Sequence, residues 1–478
     1  MKEIYLHELR NTIFSGKFAV AFLLMLVAFL VSLGMMYQEY NGRIANYNDS
    51  LSMSPRELFW DKVFYWQFEN GGQTNSDTIT FPMGLVKKPK PLLFLSRGLD
   101  KEMRQSVELV ANFPIIDVTM KPDQEVNLMK AIFTAPDMLF ITKILVSLLA
   151  ILFSYNLISE ERERGTLKLL MVNGASRGAI FGGKFLGSLS SIWVAFTAAF
   201  MIYVLCLVMF TPVNLQDDTA ARLAIVFLVS LLHIAVFFGL GAAVSVFFRK
   251  SAPALIVALF IWLIVVFALP GISSLLAQQY APVDSAQKIA RMKLEKAQQM
   301  EADYTAANPD DTNISNTGGY GRRHDAIRDE ITAELLKIDD EHQRRKEQQA
   351  KITTSLARIS PVGSLTYVYS ALCGTGLEDL RLYQADLIRM RDTVESEVTR
   401  MMQDPEFGRG YVEGKWSIPM AQKEPVFKLM DIGKYEGFNT LSLTDAISFA
   451  WIDFLLLSLY AIVPAAVTFT RFIFYDPR

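Results

Sequence analysis

Gly178, Gly183 and Lys184 stand at the spacing of a phosphate-binding loop, in which backbone N–H groups cradle phosphates and the lysine reaches their outer oxygens. Phe185 occupies the place of the Ser or Thr that would hold magnesium. The pattern also runs into an apolar stretch and follows no strand, so this loop is not expected to bind a nucleotide. Three other ionisable residues, Lys143, His233 and Asp453, fall inside long apolar runs, where an unpaired charge costs at least a few kcal/mol. A Lys143–Asp453 ion pair would meet that cost; the alternative is a Lys143 that snorkels along its own stem and an Asp453 bonded locally. His233 could relay a proton, but a neutral imidazole bonded to a neighbouring helix is the plainer expectation. No Ser/His/Asp set or metal-ligand spacing stands out, and no catalytic site is expected.

The densest charge lies in Glu160-Glu161-Arg162-Glu163-Arg164, followed by Gly165, Thr166 and Leu167 through Leu170. Glu160 and Arg164 are at i,i+4 with the acid first, which favours a helix. Gly165 loosens that helix, Gly174 ends a short second one, and Ser176 caps the next. Taken alone, this pattern serves equally well as a solvated turn.

The elements around these residues are membrane helices. Half of the 478 residues are apolar while a fifth are charged, which suggests spans spliced to polar domains. Near-zero net charge and the lack of a basic stripe give no case for nucleic acid. Cys206 lies in an apolar run and Cys373 in a polar region, so they are not expected to pair. Residues 1–17 read as an interfacial amphipathic helix. Spans of about 20 residues are expected at 17–36, 137–158, 185–210, 221–248, 253–277 and 443–471. The first apolar stretch is long enough to cross, so it is not expected to be a cleaved signal. A small α+β domain is expected at 37–136, which contains Phe59, Trp60, Phe64, Tyr65, Trp66 and Phe68 and has ample apolar content to fold. A mainly helical one is expected at 278–440, with helices near 284–306, 323–360 and 376–403, broken at Asn308-Pro309 and Gly318-Gly319 and capped by Thr375. The tail is 472–478.

Segments 1–17, 159–184, 247–253 and 471–478 together hold about 12 Lys/Arg against about 6 acids. The short loop 211–220 carries Asp217 and Asp218 and no cation besides. By the positive-inside rule both termini and the 159–184 insert face the cytoplasm, and both large domains lie outside, in a multi-pass cell (inner) membrane protein.

The run Glu161 to Leu170, with Ser176-Arg177 and Gly183-Lys184-Phe185-Leu186-Gly187 behind it, resembles the signature of ABC-2 type transporter permeases. Two further stretches, Pro89 to Asp100 and Ser360-Pro361-Val362-Gly363-Ser364 through Gly374-Thr375-Gly376-Leu377, are similar to a gliding-motility-like subgroup with enlarged external domains. The resemblance implies an α-helical polytopic membrane protein of six transmembrane helices whose cytoplasmic coupling region docks on an ATP-binding subunit. Glu160, Glu161, Arg162, Arg164, Gly165, Thr166, Leu167, Leu170 and Arg177 are the residues it implicates. It also implies two ATPase subunits carrying ATP and Mg2+, a second permease of the same or a related chain, and no cofactor on this chain. The expected role is outward movement of an unidentified substrate, with membrane lipid as a further partner. The alternative is mechanical transmission to the external domains, or to an envelope protein they touch, without solute transport.

Overall fold

The computed structural model describes residues 1–52, 80–100, 106–112, 119–122, 136–166, 176–215, 218–307, 323–403, 411–412, 415–416 and 439–474. Leu167, Leu170, Gly174, Asp217, the aromatics of 59–68 and the breaks at 308–319 lie outside them.

Six helices are long and apolar enough to cross a membrane: span 1 (Gly16–Asn48), span 2 (Met138–Glu163), span 3 (Arg177–Phe210), span 4 (Thr219–Phe247), span 5 (Ser251–Tyr280) and span 6 (Leu443–Ile473). The chain is an α-helical polytopic membrane protein. Hydropathy locates each span but not its polar extensions. Span 1 runs on as a helix to Ser52, well past the expected 36 and through Asn41-Gly42, since no proline interrupts 37–52. Span 3 starts at Arg177, where the Ser176 hydroxyl accepts from the Ala179 N–H as a cap.

Span 4 lies at the centre. It packs against span 2, span 6 and the helix Pro361–Cys373. Close approach is allowed by Gly241, where a Cβ would lie 2.1 Å from Ser154 Oγ of span 2, and by Gly239, which faces Pro464 of span 6. Small residues thus let span 4 pack closely on both neighbours. His233 is fully buried in span 4 against the Phe237 ring, and neither ring nitrogen has a hydrogen-bond partner among the described residues. The expected bond to a neighbouring helix is therefore not formed. Span 5 is the least covered of the six, with Ile256, Phe260, Leu263, Phe267 and Leu275 open.

After span 1, three antiparallel strands form a sheet in the order β1 (Thr80–Val86), β2 (Ser106–Asn112), β3 (Thr119–Pro122). Between β1 and β2, a 3-10 turn at Pro91–Phe94 buries Leu92, Leu93 and Phe94 against spans 1 and 3, and the Tyr203 hydroxyl of span 3 donates to the Phe94 carbonyl at 3.1 Å. After span 5 come a hairpin of helices Ala286–Ala307 and Arg323–Ala357, then Pro361–Cys373 and Leu377–Gln403.

The expected helix through 360 stops at Ala357, and the buried helix after it was not singled out by sequence. Ser360 caps that helix, Pro361 opens it, and Gly374, at φ 71°, closes it. Thr375 does not cap the next helix; Asp379 instead accepts from the Gly376 N–H. The helix Pro361–Cys373 lies between spans 4 and 6, with the Tyr369 hydroxyl bonded to Ser230 of span 4. Its start is fixed on span 5, where the Ser360 hydroxyl donates to the Val265 carbonyl at 2.7 Å. That carbonyl is free because span 5 makes a π turn at Ile264–Ala268. Its partner in that register would be Pro270, which has no N–H.

Candidate functional site

The insert is built as an extension of span 2. The helix Ser159–Glu163 ends where Gly165 turns left-handed at φ 72°, and Arg164 pairs with Glu160 at 2.5 Å, as the i,i+4 spacing predicts. Its charged side chains divide into two groups. Glu160 and Arg164 point outward, with the Arg164 side chain 70% exposed and the Gly165 backbone open beside them. Glu161, Arg162 and Glu163 turn back onto the chain. Arg162 donates to the Val246 carbonyl at 2.5 Å, and the Glu163 carboxylate accepts from the Ser251 N–H at 3.0 Å. The Ser245 hydroxyl accepts from the N–H groups of Ile158 and Ser159. Together these tie the insert to the turn between spans 4 and 5.

Glu161 accepts from Thr166 and pairs with Lys184 of span 3 at 2.8 Å. Lys184 also meets Glu8 of the N-terminal helix Lys2–Ile13 at 3.2 Å, and Ser188 donates to the same carboxylate. The lysine of the apparent phosphate loop is thus held between two carboxylates, and Gly178 through Lys184 lie within one continuous helix. No cradle exists there. The glycines serve packing instead: a Cβ on Gly183 would lie 2.8 Å from Ile4, and one on Gly187 would lie 2.9 Å from the Glu8 Cβ. They let the N-terminal helix lie directly on span 3. Arg177 donates to the Ile473 carbonyl, so the end of span 6 joins the same cluster.

A family model for the ABC-2 family transporter proteins matches residues 3–475. The chain belongs to that family. No curated protein matches the sequence. Membership in the ABC-2 family makes the chain a membrane subunit of an ABC system, a partner of ATP-binding subunits and a multi-pass membrane protein.

The intramembrane charges are arranged differently from the expected pair. Asp453 of span 6 is bound by Arg358, which donates through Nε at 2.9 Å and through Nη2 at 2.8 Å. Lys143 lies over the Phe140 ring, one turn toward the start of span 2. The Lys143–Asp453 pair does not form, because Arg358 enters from a segment that hydropathy assigns outside the spans. Its planar fork matches a carboxylate on two bonds, whereas a lysine offers a point charge.

A second ionic cluster lies at the other end of the spans. Asp100 takes Arg43 and, at 3.5 Å, Lys87, while Arg97 takes Glu39. Lys90 pairs with Asp379 at 2.7 Å and donates to the Gly374 carbonyl at 2.6 Å, and the Leu99 N–H donates to the Thr375 carbonyl. Gly98, at φ 44°, passes so close to Thr375 that a Cβ would lie 2.4 Å from its carbonyl oxygen. Burial pushes the Lys87 ammonium below its ordinary value, and Asp100 partly offsets this. The two motifs that carry the subgroup resemblance, Pro89 to Asp100 and Ser360 to Leu377, thus meet in space. Sequence reasoning set them side by side without pairing them; the complementary Lys90 and Asp379 were the available signal.

Proposed function

We propose that this chain is the permease subunit of an ATP-driven exporter, with ATP and Mg2+ held by two separate ATPase subunits that push on the 160–176 region. Both termini and that region face the cytoplasm in this reading, and the inter-span domains lie outside. A second permease, the same or a related chain, stands alongside, and lipid covers the remaining apolar surface. The Glu8–Lys184–Glu161 node carries the reading. It makes the insert, the N-terminal helix and span 3 one body, so a push on the exposed Glu160–Arg164 face moves spans 2 and 3 together. Glu160, Arg164 and Gly165 form the docking face; Glu161, Arg162 and Arg177 brace it from behind. Such a push shifts an equilibrium only by its different contacts with the two states.

The test is a charge swap, Glu160→Arg with Arg164→Glu, in the complex reconstituted with its ATPase subunits. The swap keeps an i,i+4 pair and the fold while reversing the face that the partner meets. Loss of complex formation or of permease-dependent ATPase activity is expected; unchanged assembly and activity would overturn the docking assignment.

A further inference from the structure

At the end of span 5 the chain forms an open groove of about 520 Å³, lined by Tyr280, Ala281, Pro282, Arg345, Gln348, Lys351 and Ile352. The apolar run of span 5 ends at Ala277, one turn before Tyr280, so the groove opens at the level where a membrane helix meets the headgroups. Two features distinguish it from an ordinary solvated surface.

The first is depth. The helix Arg323–Ala357 packs along span 5, with Gln349 donating to the Ala281 carbonyl. Eleven residues later Ser360 is bound at Val265, near the middle of the span. The segment from Gln349 to Ser360 therefore descends roughly 16 Å beside the span, about half the hydrocarbon thickness. Gln348, Lys351 and Ser355 form an exposed polar stripe on this descending arm, at helical spacing. Bare hydrocarbon is a costly neighbour for such a stripe.

The second is charge beside apolar surface. Arg345 already shares Glu341 at 2.5 Å and Asp284 at 3.7 Å, whereas no carboxylate lies within ion-pair distance of Lys351 among the described residues. Below the groove, Ile272 and Leu275 stay open on span 5, with Tyr280 75% exposed above them. Cation, aromatic edge and apolar track follow one another in the order of a phosphate headgroup, a glycerol backbone and an acyl chain.

We infer that this groove seats an anionic phospholipid, its phosphate on Lys351 with Arg345 beside it and an acyl chain along Ile272 and Leu275. The seat is independent of what the protein transports. It places one lipid of the leaflet at this end of the bundle against the arm that leads to the Arg358–Asp453 pair.

The purified full chain, delipidated and placed in nanodiscs of phosphatidylcholine with a minor fraction of phosphatidylglycerol, tests this by native mass spectrometry of retained lipid. Wild type is expected to retain phosphatidylglycerol over phosphatidylcholine. Lys351→Gln should reduce that preference about fivefold, and Arg345→Gln added to it somewhat further. Leu275→Gln should shorten retention of both lipids at this site. Equal retention by wild type and Lys351→Gln, with helicity unchanged, would overturn the proposal. Displacement of phosphatidylglycerol by inorganic phosphate at equal concentration would make it a site for soluble anions and overturn the lipid assignment. A photo-crosslinker at position 351 that captures a second copy of the chain in place of lipid would overturn it in favour of an interface between copies.

Discussion

The two ends of the span bundle are both closed by buried ions, but they are built on opposite plans. At the insert end one lysine, Lys184, serves two carboxylates from separate elements, and glycines of span 3 bring the N-terminal helix onto it. At the other end the charges come in several pairs, and backbone bonds such as Leu99 to Thr375 run beside them. The first plan makes a single hub, so its parts move together or come apart together. The second distributes its hold and should fail gradually.

Removing the hub should therefore have the largest effect. Lys184→Met leaves Glu8 and Glu161 facing each other without a cation, and breaking a buried pair in this way costs roughly 3–5 kcal/mol. Glu8 and Glu161 are partly open to solvent, so the low end is expected, read as a fall in the detergent-solubilised Tm and faster proteolysis of the first 13 residues. A loss no greater than that of a single pair at the other end would erase the contrast. Gly98→Val is next. It places a β-branched residue at a positive φ against the Thr375 carbonyl, and a loss of about 2–3 kcal/mol is expected, with the sheet detached from the helix Pro361–Cys373 in hydrogen exchange. Lys90→Met alone should cost less, about 1–2 kcal/mol, because the Leu99 bond and the Arg43–Asp100 pair persist.

The smallest effect is one of pH, in the hairpin. Burial, reinforced by Lys346 and Arg345 and opposed by Asp339 and Asp284, holds the His342 imidazole below its ordinary value of 6.5. The unfolded hairpin then takes up a proton that the folded one refuses. Hairpin stability should be complete above about pH 6.5 and decline as the pH falls below it. His342→Gln should flatten that dependence in hydrogen exchange of residues 323–357.

Sequence made the six spans legible because bilayer length and apolar content are constraints on composition alone. It also exposed the Ser176 cap and the Glu160–Arg164 pair, which depend only on local spacing. It could not reveal the partners of Asp453 and Lys184. Arg358 reaches Asp453 from 95 positions away and Glu8 reaches Lys184 from 176, along a path set by Pro270, the π turn it accompanies and the glycines of span 3. The segment that delivers Arg358 is polar enough to pass for soluble, and only the Arg358–Asp453 pair shows that it reaches span 6. The glycines at 183 and 187 were visible as a motif, but a phosphate loop and a helix-packing face use the same letters.

The bond between Lys90 and the Gly374 carbonyl joins residues 284 positions apart. During synthesis at roughly 5–20 residues per second, Lys90 therefore waits about 14–57 s before its acceptor has been made. Leu92, Leu93 and Phe94 can reach their places on spans 1 and 3 long before that, so the ribosome delivers the wedge early and its fastener late. Late truncations that spare the first four spans should accordingly yield chains that insert but remain unfastened, open to quality-control proteases at 87–100.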